Sequence, residues 1–279
     1  MRAHRRMMSV FVFILFLLVS LIMLFPVYYL LIGSLQDGQE IFRAGMKFFL
    51  KPEDIKWSNY PNLFTYNNGI YPKWFKNSVF YAAAFTVCAL SLSSLVGYGL
   101  GAYSFKGRNL IFVLVLAVMM IPLEILMLPL YKLIVKIRLI NTAGGIIFPF
   151  MVAPVAIFFF RQFVSGISQE FMESARIDGC TEFGIFFRIM VPLMKPAYGA
   201  MTILLAMQNW NSFVWPLIVL RDSGKFTLTI GIASLINPYS ANYDVMIAGS
   251  VTAIFPILLL FLFNQRFFIA GLTSGGVKG

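Results

Sequence analysis

The sequence predicts an all-α, polytopic membrane protein with about six transmembrane helices. Three observations carry this. Of 279 residues, 59% are hydrophobic and 12% are charged, whereas a soluble domain averages about 25% charged residues. Too few polar side chains remain to coat a water-facing surface. Phe alone supplies 30 residues, which suits lipid-facing and packed intramembrane surfaces. The apolar residues also fall in runs long enough to cross roughly 30 Å of hydrocarbon at about 1.5 Å per residue. The chain, 1–279, reads as one transmembrane domain.

The first span, 9–34, follows the basic start MRAHRRMMSVFVFILFLL. That start imitates a signal peptide, but the apolar run continues to about Leu35 and no small-x-small cleavage site follows, so a retained span is expected. Residues 35–75 form a long loop outside the membrane. Its aromatics Trp57, Tyr60, Tyr66, Tyr71 and Trp74 fit an interfacial belt, with sugar stacking on Trp57 or Trp74 as the alternative. The second span, 76–104, is rich in small residues, and Gly97 and Gly101 form a G-x-x-x-G pair. Small residues let helix backbones approach closely, so this is a packing helix, within the subunit or against a partner. Further spans are expected at 109–131, 142–162, 194–220 and 245–267, with a polar loop at 163–193. Prolines interrupt several, at Pro26, Pro122, Pro129, Pro149, Pro154, Pro216 and Pro256. Such breaks survive in lipid only where neighbouring groups satisfy the freed backbone. They fit a bundle that moves or lines a path, or kinks used for packing alone.

Orientation follows from Lys and Arg placement. Arg2, Arg5 and Arg6 precede the first span and the next basic residue is Arg43, which puts the N-terminus in the cytoplasm. An even number of spans puts Arg266 and Lys278 there too, and makes 35–75 extracytoplasmic and 163–193 cytoplasmic. Eleven basic residues fall on each side of this topology, and Lys132, Lys136 and Arg138 lie outside, so the orientation rests on the first span.

The net charge of +11 is spread between apolar runs rather than gathered in a basic tract, which argues against nucleic acid. Cys88 and Cys180 stand far apart without metal-type spacing and read as free thiols. His4 is the only histidine, so neither a Ser/His pair nor H-E-x-x-H exists. No enzyme activity, metal or bound cofactor is expected of this chain. It has no G-x-x-x-x-G-K-[ST] and cannot itself be an ATPase.

The stretch ESARIDGCTEFGIFFRIMVP, from Glu173 to Pro192, carries five charges inside this greasy chain. Ser168 can cap a helix, with Glu170 and Glu173 in its first turns. Phe171, Ser174, Ala175 and Asp178 would share one face, and Gly179 would end the helix in the left-handed region. Thr181 can cap a second helix with Phe183, Phe186, Phe187 and Met190 at helical spacing. Pro192 would start the next span. By periodicity alone this is a cytoplasmic helix–loop–helix, or an ordinary hairpin lying on the headgroups.

The letters say more. Glu173-x-Ala175-x-x-x-Gly179, nine residues, then Ile189-x-Val191-Pro192 resembles the signature loop of ATP-binding-cassette importer permeases, E-A-A-x-x-x-G, nine residues, I-x-L-P. Ser174 and Val191 replace Ala and Leu, and Asp178-Gly179 matches the common D-G pair. MIPLEILMLPLYKLI, LINTAGGIIFPF, NWNSFVWPLIVLRDSGKFTLTIGIASL and the closing AGSVTAIFPILLLFLFNQRFFIAGLTSGGVKG resemble the carbohydrate-uptake branch, in particular the shorter, maltose-type second permease subunit.

The resemblance implies a bacterial inner-membrane, multi-pass subunit that moves a sugar or oligosaccharide. It implies as partners a homologous second permease, two nucleotide-binding ATPase subunits that hold ATP and Mg, and an extracytoplasmic solute-binding protein. It also implies that the helix before Gly179 docks on the ATPase. There Glu173 would offer a carboxylate, Ala175 would allow close approach and Gly179 would set the angle.

Substrate-path candidates are Glu124, an intramembrane carboxylate that could equally sit hydrated near the outer interface, and Asn209, Trp210, Asn211 and Trp215. Asn and Trp suit hydroxyl bonding and ring stacking on a sugar; polar glue between helices is the rival. The tail LTSGGVKG reads as solvated, or as an inward-facing end approaching the ATPases. The same machinery could import another polar solute, such as a glycerol phosphate or polyol. An ion-coupled carrier would need midplane charges, and Glu124 is a lone one.

Overall fold

The computed structural model describes residues 2–236 and 242–274, with side chains over 7–236 and 242–267. The side chains of Arg2, His4, Arg5 and Arg6, together with Lys278 and most of the tail, lie outside the described residues. All regular structure among the described residues is helical. Three single helices are long and apolar enough to cross a membrane, and three bent pairs pass the same test jointly, giving up to six crossings. The chain divides into two compact units.

The first unit combines Met1–Pro72 with Gly231–Phe255. Helix α1 (Arg2–Ser34) keeps none of its most apolar window buried. Beyond it, short α2 (Gly38–Ala44) is capped by Asp37. The connection is held by amide side chains bonding free backbone groups. Gln36 both donates to Lys47 O (2.9 Å) and accepts from Lys47 N (2.9 Å). Buried Asn59 donates to Ser34 O (2.9 Å) and Gln36 O (2.8 Å).

Helix α3 (Asn59–Ala102) begins well inside the stretch expected as a loop. It is broken at Tyr66–Gly69, where Asn67, Asn68 and Gly69 take φ of 44°, 57° and 70°. Asn and Gly are the residues that enter the left-handed region at least cost, which is why the break sits there. The interfacial belt is also revised. Trp57 is 68% exposed, but Tyr71 and Trp74 are core residues at 1% and 3%. Tyr71 Oη donates to Gly249 O within the first unit, and Trp74 Nε1 to Ser223 O within the second.

The second unit combines Lys73–Ile230 with Pro256–Gly279. The span expected at 109–131, interrupted by Pro122 and Pro129, is two helices, α4 (Arg108–Met119) and α5 (Leu123–Lys136), bent by 100°. Pro122 sits at the break; it lacks an N–H and keeps Ile121 from helical geometry. The expected span at 142–162 is likewise α6 (Ala143–Phe150) and α7 (Pro154–Ser165), bent by 44°.

The backbone freed at these breaks finds side-chain partners, as a membrane interior demands. Ser93 Oγ accepts from Ala153 N at 3.0 Å. Thr142 Oγ1 accepts from Gly145 N, and Gly145 O accepts from Trp215 Nε1 at 3.1 Å. The G-x-x-x-G pair packs within the subunit. A Cβ on Gly97 would lie 2.6 Å from Phe160 Cβ, and one on Gly101 2.9 Å from Val164 Cβ, so α3 and α7 touch backbone to backbone. The main core gathers there around Phe160, Met190, Met194 and Leu205.

The polar segment continues as α8 (Glu170–Ile177) and α9 (Glu182–Leu193), and α9 meets α10 (Lys195–Trp210) at 76°. Short α11 (Val214–Val219) and α12 (Leu228–Ser234) follow, and α13 (Tyr243–Ser274) closes the chain with Pro256 inside it.

Candidate functional site

The polar segment is a pair of helices around a glycine turn. Ser168 Oγ accepts from Glu170 N (3.3 Å), while Gln169 stands at the cap position without a side-chain bond. The buried residues of α8 are Met172 and Ala175, whereas spacing groups Ala175 with Phe171, Ser174 and Asp178. Of that set only Ala175 is buried, and Phe171 is exposed. The helix ends at Gly179, with φ of 79°. Gly179 N donates to Arg176 O (3.0 Å) and Cys180 N to Ala175 O (2.9 Å). This is the Schellman arrangement, in which the left-handed glycine lets the last carbonyls find donors.

Thr181 caps α9, its Oγ1 accepting from Gly184 N at 3.1 Å. The apolar stripe differs from the expected one. Ile185, Phe186 and Met190 are buried, whereas Phe183 and Phe187 are 75% and 60% exposed. A π turn runs over Phe186–Met190, after Phe183. Its i→i+5 bonding widens the helix and shifts the faces away from a 3.6-residue period.

Three side chains that the sequence reading passed over tie the pair together. Arg176 and Glu182, on opposite sides of the turn, form a two-pronged ion pair: Nε to Oε1 at 2.7 Å and an Nη to Oε2 at 3.2 Å. Tyr103, just beyond α3, donates to Glu182 Oε2 at 2.5 Å. The Arg176 guanidinium lies 5.9 Å from the Tyr103 ring centre. Bonding to Arg176, then to Tyr103, holds the Glu182 carboxyl below its ordinary range. Desolvation, then Glu182, raises the Tyr103 phenol. The end of α3 is thus pinned to the polar segment. Opposite charges six residues apart across a glycine were the available signal.

Around this clamp Glu173, Ser174, Asp178, Gly179 and Pro192 are exposed, and Ile189 is partly buried against the core. Glu173 shares its face with Ile177, which is 87% exposed. The segment therefore presents a carboxylate and an isoleucine outward from a helix whose opposite face is fixed.

The substrate-path candidates do not converge. Glu124 is exposed in the first turn of α5. Trp215 is 3% exposed, packs edge-on against Phe150 and bonds Gly145 O. Trp210 lines a groove of about 390 Å³ in which only Thr86 and Thr202 are polar, a lining unlike a sugar site. Asn211 is exposed beside Gln208, and Asn209 is partly buried.

Residues 93–269 match the family of binding-protein-dependent transport system inner membrane components. The chain belongs to that family. It is a multi-pass permease of an ATP-binding-cassette importer, not an enzyme, in agreement with the resemblance carried by Glu173–Pro192. The permease is 55% identical over 264 residues to the arabinooligosaccharides transport system permease protein AraQ of Bacillus subtilis, covering 95% of this chain and 94% of the relative. It is 33% identical to the lactose transport system permease protein LacG of Rhizobium radiobacter, covering 99% and 98%. Its fold matches a crystal structure of a bacterial ABC transporter involved in the import of the acidic polysaccharide alginate, with a TM-score of 0.82 at 24% identity over 94% of this chain and 97% of that one.

Proposed function

We propose that this permease carries short arabinose oligosaccharides across the bacterial inner membrane, with both termini in the cytoplasm. An extracytoplasmic binding protein delivers the sugar, a homologous second permease completes the path, and two ATPase subunits, holding ATP and Mg, drive it. The polar segment is the coupling element: Glu173 bonds the ATPase, Ala175 fixes the depth of the helix, and Gly179 sets its angle. Ser174, Asp178, Ile189 and Pro192 complete the segment.

One observation carries this reading. The helix ending at Gly179 shows Glu173 and Ile177 to its surroundings while its other face is locked by Met172, Ala175 and the Arg176–Glu182–Tyr103 clamp. A rigid helix with one open face can transmit a push. The 55% identity to an arabinooligosaccharide permease supports the substrate class.

The test is a gentle-detergent pull-down from native membranes, with mass spectrometry of what accompanies the chain, alongside uptake of labelled arabinotriose. Recovery of a second permease and a nucleotide-binding subunit, with uptake abolished by deletion of this chain, is the expected result. A chain that purifies alone at low salt would remove the coupling reading. Uptake of lactose but not arabinotriose would remove the substrate assignment.

A further inference from the structure

Helix α4 packs along α7, with Phe112 and Phe158 stacked at 6.1 Å. At the end of this contact the Arg161 guanidinium lies 3.7 Å from the Phe112 ring centre. Arg108 stands one turn before Phe112 on the same face of α4.

Neither arginine has an acidic partner among the described residues, where ion pairs join only Lys47, Lys51 and Arg176 to carboxylates. Arg108 donates to one group, Tyr103 O, at 2.9 Å. The Nε of Arg161 is buried and has no hydrogen-bond partner. Two cations held side by side without a carboxylate, one with a buried unmet donor, are costly unless an anion joins them.

The surroundings indicate which anion. Arg108 lines a hollow of about 300 Å³ together with Ser104, Phe105, Gly107, Asn109 and Leu110. The first turn of α4 has no capping side chain. On the side of α4 adjoining Arg108 the surface is apolar: Ile111 and Val118 are 43% and 49% exposed. A phosphate seated between the arginines would therefore have acyl chains' natural surface next to it.

We infer that Arg108 and Arg161 form a binding site for the phosphate of an anionic phospholipid, with its acyl chains along the exposed side of α4. The site lies at the same end of α3 as Tyr103, so a bound headgroup steadies the turn that holds the coupling clamp. This placement rests on the multi-pass membrane fold and stands whatever sugar is carried.

The test uses the whole transporter, co-expressed and purified, in mixed micelles with dioleoyl phosphatidylglycerol or dioleoyl phosphatidylcholine, read by native mass spectrometry. Preferential retention of phosphatidylglycerol is expected. Arg108→Gln and Arg161→Gln should each lower that preference about fivefold, the scale for one basic residue at an anionic surface, with phosphatidylcholine retention and subunit assembly unchanged. Arg161→Lys keeps the charge and should retain most of the preference. If Arg161→Gln does not assemble, Arg108→Gln decides alone. An unchanged preference in the assembled variants would overturn the site. Displacement of the lipid by millimolar inorganic phosphate would make it a soluble-anion site and overturn the lipid assignment. Loss of the ATPase subunit with lipid preference intact would assign the arginines to a protein interface and overturn it equally.

Discussion

Two polar stretches interrupt the apolar second half of the chain, and the fold uses them in opposite ways. In Glu173–Pro192 the charges stay at the surface, and the fold spends its bonds on fixing the helix that carries them. In Asn209–Trp215 the two tryptophans go inward, and Trp215 closes a backbone gap at Gly145 that lipid could not fill. Polar letters in a membrane chain therefore mark either a face offered to a partner or a repair to a broken helix. Exposure and bonding tell them apart, whereas residue type does not.

The largest expected effect that could break this comparison is at the coupling turn. Gly179→Pro removes an N–H that bonds Arg176 O and forces φ near −65° where the fold uses 79°. Uptake should fall by at least roughly tenfold, within the usual span of coupling free energies, with membrane insertion intact. Glu173→Lys should act in the same direction. Full uptake and ATPase association in both variants would end the coupling assignment.

At the other stretch the effect should be on stability. Trp215→Ala leaves a void in a packed core and should cost about 3–5 kcal/mol, read as a fall in melting temperature in detergent. Trp215→Phe keeps an aromatic ring but loses part of the indole's volume and the bond to Gly145 O, for about 1–3 kcal/mol, with the KM for sugar unchanged. A KM shift without a melting shift would move Trp215 back to the substrate path. Similar in size to Trp215→Phe, Gly97→Val pushes a side chain into Phe160 and should cost about 1–3 kcal/mol.

The smallest effect concerns the clamp. Glu182 titrates below its ordinary range because Arg176 and Tyr103 bond its charged form. In an unfolded chain it would titrate near about 4.3. Its contribution is therefore complete above that value and is lost as pH falls through the lower folded value. Amide exchange across 180–186, corrected for intrinsic rates, should be flat from about pH 7 to 5 and rise only in more acid solution. Glu182→Gln should abolish that dependence. Equal acid sensitivity in the variant would show that the clamp does not hold the turn.

Much of this was legible in the letters. Gly179, Thr181 and the spacing to Ile189 are local signals, and local signals survive translation into structure because a left-handed turn or a cap needs few neighbours. Long apolar runs were legible as membrane segments for the same reason. What was not legible depends on bonds the period cannot see. The π turn at Phe186–Met190 breaks the 3.6-residue period inside the second helix. Pro122 was legible as a break, but not the 100° size of its bend. The Arg176–Glu182–Tyr103 cluster needs a residue 79 positions away in sequence from its partner. The tryptophans read as sugar-facing on residue type alone, and their burial is a property of the assembled core.

Helix α1 has a consequence of its own. Its membrane-compatible part, Met7–Ser34, is 28 residues long, with none of its most apolar window buried in the protein. At about 1.5 Å per residue it is roughly 42 Å long, against about 30 Å of hydrocarbon. An excess of that size is taken up by tilt, a kink or local thickening of the bilayer, within what neighbouring helices allow. The helix leans further in a thin membrane and stands straighter in a thick one, and Pro26 gives it a place to flex.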